Sequence, residues 1–268
     1  MSTNKILPVH LELESDLKCL GLKTFIDNYQ SVAQQCDKKG HTNVRYLQEL
    51  CLYEVEKRNQ NRLERLLKEA KLPRNKLLVD FDIGRIPGLS PALIERLASG
   101  EFMDRTENIL IFGNPGTGKS HLSIALARQW CLLGHHVLFT TASKLVQELR
   151  SAQMHNQLHT LIKKLARIEC LLIDDISYVQ MQREDTDCLF QLLSERYEQS
   201  STLITSNIMF SQWKSIFKDE MTTAAVIDRL IHHCEILELN APSYRTQKAV
   251  QKKAALATCI QGESHVTI

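Results

Sequence analysis

The chain has 268 residues, enough for one or two domains at about 150 residues each and for a sizeable buried core. Hydrophobic residues make up 43% and charged residues 24%, ordinary globular values that exclude wholesale disorder. The 33 Lys and Arg against 31 Asp and Glu leave a net charge of +2, which excludes a chain that is basic throughout but leaves a local basic patch open.

No apolar run approaches the roughly 18 residues needed to span a bilayer, and residues 1–10 lack the charged and apolar regions of a secretory signal. The eight cysteines include no C-x-x-C pair, and the pairs His135–His136 and His232–His233 have no cysteine at metal-ligand spacing. Buried free thiols in a reducing compartment account for all eight, so the expectation is a cytoplasmic protein with no membrane association.

The first third reads as helix. Leu63, Leu66, Leu67 and Ala70 follow the i, i+3, i+4, i+7 spacing of one helical stripe, and Pro73 ends it. Between Lys57 and Lys76 lie eight basic residues, among them Arg62 and Arg65, against Glu64 and Glu69. That stretch is either a solvated helix face or a nucleic-acid contact. Three prolines and several turn glycines then mark a linker with one short helix, Pro91–Ala98. The expected domains are 1–75, helical; 76–104, linker; 105–262, α/β; and 263–268, a tail.

In the α/β part, Asn108–Phe112, Val137–Thr140, Cys170–Ile173, Thr202–Thr205 and Ile236–Leu239 are short apolar runs separated by room for helices. The clearest helices run from His121 to Leu133 and near Thr186–Gln199. This is the pattern of a five-stranded parallel sheet buried on both faces.

The run Gly113, Asn114, Pro115, Gly116, Thr117, Gly118, Lys119, Ser120 matches G-x-x-x-x-G-K-[ST] in full, with a strand before it and a helix, opening at His121, after it. The glycines let backbone N–H groups face a phosphate at a helix N-terminus. Lys119 would reach the β- and γ-phosphates of a nucleotide, and Ser120 would ligate Mg²⁺. Fifty-five residues after Lys119 an apolar strand ends in Asp174 and Asp175. Asp174 is placed to hold Mg²⁺, and Asp175 to act on the attacking water, one methylene shorter than a glutamate would be. The next strand ends at Asn207, which could hydrogen-bond that water. Arg229, at the end of a helix before the last strand, could neutralise a neighbouring subunit's γ-phosphate, and Arg245 could contact the nucleotide from its own subunit. No N-K-x-D guanine motif and no L-S-G-G-Q transporter motif is present.

The chain resembles the IstB family, the ATP-binding helper proteins of insertion-sequence transposons, related to DnaC helicase loaders and DnaA initiators. The matching stretches are Leu17–Phe25, Phe81 and Asp82, Leu97–Ile109, the phosphate loop through Ala127, Leu171–Asp175, Thr205–Asn207, Asp228–Leu230 and Ser243–Arg245. The resemblance implies an AAA+ core that binds ATP, oligomerises head to tail on duplex DNA, and recruits and stimulates a partner transposase. The 29 residues after Leu239 are too few for a full helical lid, so a reduced one is expected. Lys144, Arg150, Lys163, Lys164 and Arg167, against Glu148, lie where related assemblies line their DNA-facing surface, with ordinary solvated helix faces as the alternative. A DnaC-type loader and an ATP-gated DNA scaffold that scarcely turns over remain the competing readings.

Overall fold

The computed structural model describes residues 9–179, 181–217, 220–244 and 246. The chain divides into two compact units between Arg65 and Leu66. The first holds α1 (Val9–Cys19), α2 (Lys23–Lys39) and most of α3 (Asn43–Glu69). Phe25, Tyr29, Val32 and Cys36 repeat at i, i+4, i+7 and i+11, so one face of α2 is apolar. That face packs with Leu50 and Tyr46 of α3 into a small core. Gly40, at φ 64°, closes α2 in the left-handed conformation, and its N–H reaches back to the Asp37 and Cys36 carbonyls.

The second unit is built on a parallel sheet. After α4 (Pro91–Ala98) and α5 (Glu101–Asp104) come β1 (Asn108–Phe112), α6 (Lys119–Leu132), β2 (Val137–Thr141), α7 (Ala142–Met154) and α8 (Leu158–Ala166). They are followed by β3 (Cys170–Asp174), α9 (Arg183–Arg196), β4 (Ser201–Ser206), α10 (Glu220–Ile231) and β5 (Cys234–Glu238). The strand order is β2-β3-β4-β1-β5, and every pairing is parallel. The last strand begins at Cys234, two residues before the apolar run Ile236–Leu239, because Cys234 and Glu235 pair with Asn108 and Ile109.

Alternation along the strands divides the core into two layers, as a sheet covered on both faces requires. Leu110 and Phe112 face a cluster with Leu145 and Leu149 of α7, Ile162 and Leu165 of α8, Leu189 and Leu192 of α9, and Val226 and Leu230 of α10. Ile109 and Ile111 face the opposite cluster, with Leu122, Leu126 and Trp130 of α6. Residues 76–104, which read as a linker, supply Ile86, Ile94, Leu97, Phe102 and Met103 to that second cluster. The Trp130 indole N–H donates to the Leu97 carbonyl at 2.8 Å, and the Phe102 ring lies 4.9 Å from Trp130.

Arg196 is buried to 1% exposure, and among the described residues no carboxylate is paired with it. Its guanidinium instead donates to the Leu165, Ile168 and Ser201 carbonyls and the Thr202 hydroxyl, tying the end of α8 to the start of β4. Burial pulls its pKa down to about 10.

The thiols divide. Burial pushes Cys131 up to about 11 and Cys170 to about 12, so both stay protonated and inert. Cys19 and Cys51 are exposed, which corrects the expectation that all are buried. Cys259 lies outside the described residues, as do the tail 263–268 and, apart from 240–244 and 246, the residues after Leu239 expected to form a reduced lid.

Candidate functional site

In an open α/β sheet the crevice at the carboxyl ends of the strands, where strand order reverses, is the place for a ligand. Here β1 is flanked by β4 and β5 rather than by β2, so the loops leaving β1, β3 and β4 converge at one rim.

The loop after β1 turns on glycines. A Cβ on Gly113, at φ 149°, would sit 2.5 Å from the Leu239 carbonyl oxygen, and one on Gly118, at φ 105°, would meet the Phe81 ring at 3.0 Å. Inside the loop the Thr117 hydroxyl donates to the Asn114 carbonyl at 2.9 Å. Lys119 opens α6 and is 6% exposed. Its ammonium donates to the Gly113 carbonyl at 2.7 Å, to the Asn114 carbonyl at 3.0 Å and to the Asn207 side-chain oxygen.

The β3 carboxylates are held from β4. The Thr205 hydroxyl donates to Asp174 Oδ1 at 2.7 Å and accepts from the Asp175 N–H at 2.8 Å. Asp175 sits at φ 65°, ψ 60°, a left-handed conformation that costs a non-glycine residue about 1–2 kcal/mol. Strain of that kind persists where surrounding bonds over-determine it, which is common at functional sites. Those bonds are present: Asp175 Oδ1 accepts from Asn207 Nδ2 at 2.9 Å and from the Ser177 hydroxyl at 3.2 Å. The Asn207 N–H in turn donates to Ser177 Oγ at 3.1 Å. Lys119, Asn207 and Asp175 therefore form one continuous relay.

A cavity of about 330 Å³ opens on this relay, within the size range of small-ligand sites. Pro115 through His121, Asp175 and Asn207 line it, so most of the expected site residues share one space. Gly113 and Asn114 join them through Lys119, and Asp174 through Thr205. Sequence reasoning missed one wall. Phe81 lies 5.7 Å from the His121 ring, the Arg85 guanidinium stacks 4.7 Å over Tyr244, and the Tyr244 N–H donates to the Gly116 carbonyl at 2.9 Å. Thr205 and Ser177 were missed too, although each hydroxyl lies two residues from a predicted site residue.

Arg229 is not among the residues lining this cavity. Its guanidinium lies 4.7 Å over the Phe190 ring and donates to the Ala225 carbonyl at 3.2 Å. Arg245 lies outside the described residues. Of the basic residues singled out for DNA, Lys144, Lys163, Lys164 and Arg167 are exposed on α7, α8 and just beyond, and Arg62 and Arg65 are exposed on α3. Arg150 differs from these. It forms a two-pronged pair with Asp185, Nε to Oδ1 at 2.8 Å, and the Asp185 side chain is only 2% exposed. That hydrogen-bonded pair holds the Asp185 carboxyl below the usual carboxylate range against the opposing effect of burial.

The comparisons with known proteins agree with this geometry. The family model described as IstB-like ATP binding protein matches residues 15–252. An insertion-sequence ATP-binding protein of Sinorhizobium fredii is 38% identical over 89% of this chain and 80% of its own length. A protein of Pseudomonas aeruginosa named for ATP binding in insertion sequence IS21 is 35% identical over 92% of each chain. Among solved structures, the DnaC helicase loader superposes with a TM-score of 0.53 at 16% identity, over 62% of this chain and 97% of that one. AMPPCP-bound DnaA from Aquifex aeolicus gives 0.52 at 18%, over 63% and 51%. The structural likenesses establish the AAA+ fold, and the family match together with the sequence relatives establishes that this chain belongs to the IstB-like ATP-binding proteins.

Proposed function

We propose that this protein is an ATPase that assembles head to tail on duplex DNA and recruits and stimulates a partner transposase. The observation that carries the reading is the relay from Lys119 through Asn207 to Asp175 at the mouth of the cavity. An amide bonded at one end to the phosphate-binding lysine and at the other to the candidate base can respond to a γ-phosphate and hold the carboxylate in place.

The reaction is ATP plus water to ADP plus phosphate. Lys119 lies against the β- and γ-phosphates, exchanging its carbonyl partners for phosphate oxygens. Asp175 accepts the hydrogen of the attacking water while Asn207 and Ser177 fix its carboxylate. The Ser120 hydroxyl and the Asp174 carboxylate are hard oxygen donors that suit Mg²⁺, and the Thr205 hydroxyl orients Asp174. Bound there, Mg²⁺ would neutralise charge on the phosphates. Aspartate at position 175 reaches one methylene less far than glutamate, which favours slow turnover that DNA or a partner accelerates. Arg229, which does not line its own cavity, would exchange its contacts with Phe190 and the Ala225 carbonyl for a neighbour's γ-phosphate, so that ATP bridges two subunits.

The test is Arg229→Ala, assayed for nucleotide affinity as an isolated subunit and for ATP hydrolysis and assembly size on duplex DNA. The expected result is unchanged affinity with hydrolysis down about 10³-fold or more and assembly impaired. Wild-type hydrolysis and assembly in the variant would remove the shared site from the proposal.

A further inference from the structure

The α2–α3 hairpin of the first unit gathers three side chains with no part in nucleotide chemistry. Gly40 turns the chain in the left-handed conformation, and the His41 N–H closes the turn on the Cys36 carbonyl at 2.9 Å. This folds the histidine back over the cysteine five residues before it. Glu49, on the facing side of α3, completes the group. The Cys36 sulfur lies 3.8 Å from Glu49 Oε2, His41 Nδ1 lies 3.6 Å from Glu49 Oε1, and all the donor atoms fall within 4.8 Å of one another.

We propose that Cys36, His41 and Glu49 form a binding site for a zinc-class divalent cation. Around tetrahedral Zn²⁺, with Zn–S near 2.3 Å and Zn–N and Zn–O near 2.0 Å, neighbouring ligand atoms stand about 3.3–3.5 Å apart. The two separations to Glu49 exceed that by a few tenths of an ångström but involve its two different oxygens, and with one ligand atom from each residue the three fall within 4.8 Å, so a bound ion would draw them together. The donor set is also the right one. Thiolate, imidazole and carboxylate together suit zinc and its neighbours and not magnesium or calcium.

The surroundings divide the labour as a metal centre does. Arg45 Nε donates to Glu49 Oε1 at 3.2 Å and Arg45 Nη1 to Gln48 at 3.1 Å, which orients the carboxylate and leaves Oε2 turned to the sulfur. Cys36 is 4% exposed, so its thiol is shielded, whereas His41 is partly open to solvent at 31% of its side chain. A cavity of about 580 Å³, lined by Cys36, Asp37, His41, Tyr29 and Tyr46 among others, leaves room for water or a further ligand at the fourth position. Burial and the Glu49 carboxylate both push the Cys36 thiol up, and a cation bound between them would oppose both by stabilising the thiolate, so that binding releases the proton. The bound ion would cross-link the end of α2 to α3.

The test uses the full chain, freed of metal by a chelator and titrated with Co²⁺ as the spectroscopic probe, then with Zn²⁺ in competition. One equivalent of Co²⁺ should give a thiolate-to-metal charge-transfer band together with strong tetrahedral d–d bands, and Zn²⁺ should abolish both. Cys36→Ser should lose the charge-transfer band, and His41→Ala, a surface change that spares the core, should weaken Co²⁺ and Zn²⁺ binding at least about 10-fold. An ion at the exposed group Glu198, His232 and His233 has no sulfur ligand and gives no such band. No band in the wild-type chain, or a band that survives Cys36→Ser because exposed Cys19 or Cys51 supplies the thiolate, overturns the proposal. So does unchanged affinity in His41→Ala.

Discussion

Two regions of the second unit are candidates to meet phosphate groups, and they are built in opposite ways. At the rim of the sheet the polar groups bind one another. Lys119 holds two loop carbonyls and Asn207, Asn207 holds Asp175, and Thr205 links the Asp174 carboxylate to the Asp175 backbone N–H. Along α7 and α8, Lys144, Lys163, Lys164 and Arg167 are exposed to solvent. The first arrangement preorganises a few interactions in a cavity, where each has a large effect and a defined geometry. The second offers exposed charge, in which each residue matters little and salt screens the whole. The contrast fits the proposed function, in which one nucleotide is bound in a single pose and a duplex irrespective of its sequence.

The sharpest way to break the comparison is at the rim. Asp175→Asn keeps the side chain's shape and can still bond to Asn207, but it removes the group that would accept the water's proton. ATP hydrolysis should fall about 10²–10⁴-fold, while nucleotide affinity, measured by fluorescence titration, changes only a few-fold. A comparable loss of affinity would show that Asp175 binds nucleotide rather than acting on water.

Lys119→Ala comes next. Removing a charge-assisted donor from a buried phosphate site should lower ATP affinity by about 10–100-fold and remove any nucleotide-dependent assembly with it. ATP affinity within two-fold of wild type would place the phosphates elsewhere in the cavity.

The second region should respond less and in a different way. With Lys163, Lys164 and Arg167 all changed to Ala, duplex binding should weaken for every sequence alike. The slope of log affinity against log salt should become shallower by about 0.9 for each DNA phosphate that the variant no longer neutralises. An unchanged slope would assign these charges to ordinary solvated helix faces.

The same contrast explains what was readable in the chain. The phosphate loop was legible because its chemistry is local: eight consecutive residues specify turn, donors and helix start, and Ile109–Phe112 before it is apolar throughout, as a strand buried on both faces requires. Asp174, Asp175 and Asn207 were legible as strand ends. The cavity wall was not, because Phe81, Arg85 and Tyr244 come from segments far apart in sequence, and only the fold brings Arg85 over Tyr244. Turn residues such as Gly84, Pro87 and Gly88 made residues 76–104 read as a linker. The burial of Ile86, Ile94, Leu97 and Phe102 depends on a Trp130 whose partner no periodicity announces. Arg150 shows the same limit. Counting charge places it with the lysines, whereas its partner lies 35 residues away in the first turn of α9.

That pair supports the smallest effect and a definite sign. Asp185 also accepts from the Gln182 N–H at 3.0 Å, closing the capping box at the start of α9, so Arg150 ties α7 to the element that follows the loop carrying Asp175 and Ser177. A carboxyl held below its unfolded pKa of about 3.9 contributes stability that is fully present above that value and is lost as pH falls through the folded pKa. Asp185→Asn keeps the volume and removes the charge. Its thermal midpoint should therefore lie about 2–4 °C below wild type at pH 7, and the gap should close as pH falls below about 4. Circular dichroism melts at pH 7 and pH 3.5 decide it. A gap that stays constant between the two would mean that the carboxylate charge, and with it the Arg150 pair, adds nothing beyond the cap.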